Sequence, residues 1–128
     1  MSLFTIEEVE ITDIPARRRS DFRIWRGRLS DADYQAVVEE INRRIDANGG
    51  RDVVVSSFLP GNDWTGTPFE PLYHACHEDI QASGWFFGLI MWQTIIDRDD
   101  VWYFMKTEMP DREILGITYF RSQADRKN

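Results

Sequence analysis

The stretch GWFFGLIMWQTII, residues 84–96, constrains this chain more than any other. Only Gln93 and Thr94 interrupt its apolar run. An element that is apolar on alternating faces has to be covered on both, so the run belongs at the centre of the core. It is too short for a membrane span. The expectation it sets is a central strand, covered on both sides or lying at a subunit contact.

The segments after it continue the pattern. DRDD (97–100) makes a turn, VWYFMKT (101–107) a strand, MPDR (109–112) a second turn and EILGITYFR (113–121) a last strand. Two short polar connections between apolar runs predict an antiparallel three-stranded meander. Further upstream, DVVVSSFL (52–59) is a β-branched strand, and DFRIWRGRL (21–29) alternates Phe22 and Ile24 against Arg23 and Trp25 as a short strand would. Residues 1–16 read as a strand or an extended arm, and 122–128 as a flexible tail.

Two helices complete the picture. Ser30, with Asp33 three positions on, has the form of a capping box. Tyr34, Val37, Val38, Ile41 and Ile45 then mark one apolar stripe, and Asn48, Gly49 and Gly50 end it. A second helix is predicted over 68–82. The fold class is therefore α+β: two helices packed on a mixed, mostly antiparallel sheet that ends in a three-stranded meander, in a single domain over 1–128.

Charge restricts the partners. The chain carries −7 overall, yet residues 16–28 hold six arginines against one aspartate, which leaves −12 on the remainder. An acidic body argues against broad nucleic-acid affinity. Arg17, Arg18, Arg19, Arg23, Arg26 and Arg28, with Trp25 among them, keep nucleic-acid binding as a second alternative, since arginines with an interleaved aromatic can grip phosphates and stack bases. The opposing reading is that they pair with the acidic body itself. One cysteine excludes an internal disulfide and any zinc site built on several thiolates. No cofactor is called for. The absence of a signal-peptide pattern at the N-terminus predicts a cytoplasmic protein.

The densest chemistry lies in LPGNDWTGTPFEPLYHACHED, 59–79, which holds both histidines and the single cysteine. Thr67, Pro68 and Glu70 form a capping box with proline in the first turn. Gly61 and Gly66 have the spacing of a phosphate-binding loop, but Thr67 stands where its lysine belongs and Asp63 would repel a phosphate. Phe69, Leu72, Tyr73, Cys76 and Ile80 make an apolar stripe, with Cys76 at its centre as a buried hydrophobe. Glu70, His74, His77 and Gln81 fall on one flank. The candidate ligand-binding residues are Asp63, Trp64, Thr67, Glu70, His74 and His77. Trp64 is weighed against a core plug. Glu70, His74 and His77 are the metal candidates, although no metal is favoured, because the row lacks the HExxH order and a fourth ligand.

These features order the functional expectations. No complete catalytic motif is present, so a small non-enzymatic binding or interaction domain leads. The five Trp, eight Phe and four Tyr, with Trp85, Trp92 and Trp102 on the meander, exceed what two helices cover, which predicts a homodimer. The alternative is a small enzyme or a metal- or ligand-binding protein with its pocket at the 61–78 loop and helix.

Overall fold

A computed structural model describes residues 3–5, 9–47, 53–55, 64–109 and 112–121; for 53–55, 105–109, 112–118 and 120–121 it describes the backbone alone. The elements are β1 (Leu3–Phe4), β2 (Glu10–Ile11), α1 (Arg19–Gly27), α2 (Asp31–Asp46), β3 (Val53–Val55), α3 (Glu70–Ala75), α4 (Ile80–Asp97), β4 (Trp102–Met109) and β5 (Arg112–Arg121). A single 3-10 turn, Ala16–Arg18, leads into α1.

The sheet runs in the order β2-β1-β4-β5-β3. β4 pairs antiparallel with β5, β5 with β3 and β1 with β2, while β1 lies parallel to β4. The class is α+β, and the sheet is mixed and mostly antiparallel. A bulge between Thr107 and Met109 interrupts the β4–β5 register.

The apolar run is a helix, not a strand. Residues 84–96 lie inside α4, whose first turn is fixed by Asp79: its Oδ1 accepts from the Ala82 N–H at 2.9 Å. Thirteen residues is long for a strand and ordinary for a helix. A helix apolar all round carries no period to betray it, and it forms where neighbours cover every side. Ten of its residues are buried, and they face in all directions. Phe86 meets Phe22 and Trp25 of α1, at 5.8 and 5.7 Å between ring centroids. Phe87 meets Phe69 edge-on at 5.3 Å. Trp92 meets Phe104 of β4 at 4.6 Å. Phe87 and Trp92 lie about 100° and 240° round the helix from Phe86. α4 is thus the axis of the core. The expected third strand of the meander does not exist there, and β4–β5 is a hairpin extended by β3.

Segment 21–29 is also helical. Phe22 and Trp25 are three apart, so a helix turns both toward Phe86 and leaves Ile24 52% exposed. A four-residue alternation fits either period. The helix expected over 68–82 is two: α3 ends before Cys76, and α4 starts at Ile80. Four helices among the described residues, rather than two, accompany the sheet.

α2 follows its pattern. Ser30 Oγ accepts from the Asp33 N–H at 3.0 Å, and Val37, Ile41 and Ile45 are buried. Glu40 joins Arg43 and Arg44, whose hydrogen bonds lower its carboxyl to about 2. The end of α2 is locked to the end of α4 by Arg98, which binds Asn42 and Asp46 at 2.8 Å and Asp100 through two bonds of 2.9 Å. Asp100 in turn accepts from the indole of fully buried Trp102 at 2.7 Å. The described residues of 1–16 contribute the β1–β2 pair and a segment pinned where Trp92 Nε1 donates to the Asp13 carbonyl. The glycine stop at 48–50 and the tail 122–128 lie outside the described residues. No helix among the described residues is long and apolar enough to cross a membrane.

Candidate functional site

The helix-start signal at Thr67 works one residue out of step with the capping box. Thr67 Oγ1 accepts from the Phe69 N–H at 3.2 Å and donates to the Trp64 carbonyl at 2.7 Å. Glu70 Oε1 reaches back to the Gly66 N–H, at 2.7 Å, rather than to Thr67. The Thr67 N–H closes a turn onto Trp64. Gly66 has a φ of 74°, which a glycine adopts without steric cost. α3 then begins at Glu70, with Pro71 in its first turn.

The other end of α3 is a Schellman motif. The Glu78 N–H bonds the Tyr73 carbonyl at 2.8 Å, and the His77 N–H bonds the His74 carbonyl at 3.1 Å. His77 and Glu78 have φ values of 56° and 61°, where glycine is the usual residue. This break ends the expected row, because Gln81 now belongs to α4. His74 gains another neighbour instead. Its Nε2 lies 3.3 Å from Glu70, and its Nδ1 lies 3.5 Å from Glu78. Glu78 was legible in principle: it stands four residues after His74, as Glu70 stands four before.

Thr67, Glu70, His74 and His77 come together on one open cleft of about 770 Å³. Its opposite wall comes from the α1–α2 junction and brings Arg28, which the sequence marked only as part of the basic segment, and Asp33, which it marked only as part of a helix cap. Buried Leu29 and Ala75 also line it. Arg28 crosses to α3, where its Nη1 donates to the Ala75 carbonyl at 3.1 Å. Asp33 makes no reciprocal bond to Ser30 among the described residues, so its carboxylate is left for the cleft.

The other candidates separate from this group. Trp64 does not line the cleft. Half-buried, it packs against Phe69 and Phe87 at 6.0 and 6.1 Å, as a core plug. Asp63 lies outside the described residues. Among the described residues no group of three or more His, Cys, Asp or Glu side chains is placed to hold a metal ion, so Glu70, His74 and His77 do not converge as a ligand set. Cys76 is 3% exposed; burial pushes its thiol up, opposed by a hydrogen bond with Ser83.

Most of the arginine segment is engaged within the chain. Arg18 pairs with Asp21 and stacks over Trp85, and Arg19 pairs with Asp13. Arg26 pairs with Asp31 and covers the Tyr34 ring. Of the tryptophans behind the dimer expectation, Trp92 is 4% and Trp102 0% exposed, and Trp85 is half-buried.

Fold and site together define an α+β domain with an open cleft of mixed charge at a helix–helix junction. No family model, curated protein or solved structure matches the chain.

Proposed function

We propose that this is a non-enzymatic binding domain whose cleft between the α1–α2 junction and α3 holds a small polar ligand. One observation carries the reading: residues of two distant segments, Arg28 and Asp33 on one side and Thr67, Glu70, His74 and His77 on the other, line the same 770 Å³ space. That volume suits a small molecule. The nearby nucleophile candidates favour binding over catalysis. The Thr67 hydroxyl is committed to the loop backbone, and the Cys76 thiol is buried and raised.

A thermal-shift screen of small polar compounds tests the proposal. A compound at 100 times its Kd raises stability by about 2.7 kcal/mol. The shift is expected in the wild type and is expected to be lost in His77→Asn and Asp33→Asn, whose side chains are exposed. A hit that survives both substitutions binds elsewhere and refutes the assignment.

A further inference from the structure

We infer that the ligand of this cleft is a small zwitterion, a molecule carrying a carboxylate and an ammonium group a few bonds apart. The inference rests on the binding role proposed above and names the ligand class. Its basis is a contrast within the chain. Arg18, Arg19, Arg26, Arg43, Arg44 and Arg98 each pair with a carboxylate within 4.0 Å, and of Arg17, Arg23 and Arg28, which do not among the described residues, Arg28 alone lines the cleft. Arg28 shares its cleft with the carboxylates of Asp33 and Glu70, yet pairs with neither. Its one side-chain hydrogen bond among the described residues, to the Ala75 carbonyl, anchors the guanidinium to α3 through Nη1. Nε and Nη2 keep donors for a second partner.

The result is a cleft with opposite charges held apart. Glu70 is fixed by the Gly66 N–H and by His74, and Asp33 is unpaired among the described residues. A simple anion at Arg28 meets the repulsion of two carboxylates. A simple cation at Asp33 meets the repulsion of Arg28. A dipolar ligand satisfies both ends. A planar carboxylate suits the two free guanidinium donors, and an ammonium group suits Asp33 and Glu70. The His77 imidazole, on the same rim, supplies a further polar contact.

The probes are the ω-amino acids from glycine to 6-aminohexanoate, with butyrate and butylamine as the single-charge controls. Amide NMR shifts of the 15N-labelled full chain give the site and the Kd. The expected result is that one member of the series shifts amides of residues 28–33 and 66–77 and binds at least about tenfold tighter than either control, a difference of about 1.4 kcal/mol. Arg28→Gln and Asp33→Asn should each erase that advantage, and Arg28→Lys should retain part of it. If Arg28→Gln fails to fold, Asp33→Asn and Arg28→Lys decide. If the controls bind as well as any zwitterion, the inference falls and the binding role stands. If nothing in either set shifts the cleft amides, and the wider polar screen is silent as well, both fall.

Discussion

Replacing Arg98 by Met should be among the most damaging single changes this fold can suffer. The substitution keeps most of the alkyl stem and removes the guanidinium. Four hydrogen bonds go with it: one to Asn42, one to Asp46 and two to Asp100. The Arg98 side chain is 13% exposed and that of Asp100 18%, so water compensates poorly for the loss. Breaking a buried pair by removing one partner costs about 3–5 kcal/mol. The residual exposure lowers this to about 2–4 kcal/mol here. Asp100→Asn should cost less, about 1–2 kcal/mol, because the side-chain oxygen can still accept from Trp102 Nε1. Asp46→Ala should cost under about 1 kcal/mol, since that carboxylate is 66% exposed.

Urea unfolding reads these values as midpoint shifts at constant slope. The double variant Arg98→Met/Asp100→Asn adds a sharper check. It removes the stranded carboxylate, so its cost should fall short of the sum of the two single costs by about 1 kcal/mol or more. The reasoning is refuted if Arg98→Met costs under about 1 kcal/mol, if Asp46→Ala costs as much, or if the two changes simply add.

Three further outcomes follow from single sites. The Arg43 and Arg44 bonds hold the Glu40 carboxyl at about 2 against an ordinary 4.5, so its contribution is complete above pH 4.5 and is lost as pH falls toward 2. Glu40→Gln should therefore cost about 1 kcal/mol at pH 7, the screened worth of a surface network, and the gap to wild type should close in acid unfolding curves. Tyr119 is fully buried, its hydroxyl finds no partner among the described residues, and burial pushes its phenol well above the ordinary range. Tyr119→Phe should be neutral or stabilising by about 1 kcal/mol in thermal unfolding, and a clear loss would show that the hydroxyl is satisfied. His77→Gly should stabilise by about 1 kcal/mol, because φ of 56° suits glycine, while it weakens ligand binding at the cleft. A destabilised His77→Gly would mean that the imidazole supports the fold rather than the site.

Signals confined to a few neighbouring residues were legible in the sequence. Ser30 and the Tyr34–Val37–Val38–Ile41–Ile45 stripe announce α2, because a helix with one wet face must show its period. Thr67, Glu70, His74 and His77 are close in sequence, so a cap and one short helix nearly suffice to gather them. What failed depended on distant partners. α4 hides its period because α1, the α3 approach and β4 cover it from different sides. Its length and the Asp79 cap were the available hints. α1 shows so short an apolar pattern that strand and helix fit it equally. Arg28 and Asp33 join the site across about forty residues of chain, through tertiary packing that no local pattern encodes.

The strand reading of 84–96 also fed the expectation of a homodimer, and the two stand on the same premise. A sheet carrying Trp85, Trp92 and Trp102 offers wide apolar faces, and two helices cannot cover them. Turning that segment into a helix changes the geometry. Its aromatic rings point outward in several directions, and each direction meets a different part of the same chain. Phe86 takes α1, Phe87 takes Phe69, Trp92 takes β4, and Trp85 lies under Arg18 at 4.2 Å. Among the described residues the large exposed apolar side chains are Val9, Ile24 and Ile80, one on each of three different segments. Scattered singly, such residues need no partner. Phe22, Trp25, Trp64, Phe69 and Phe104 are thus used within the chain to wrap α4. If sedimentation finds self-association, mutating Trp92 or Trp102 should disturb the fold before it disturbs the assembly.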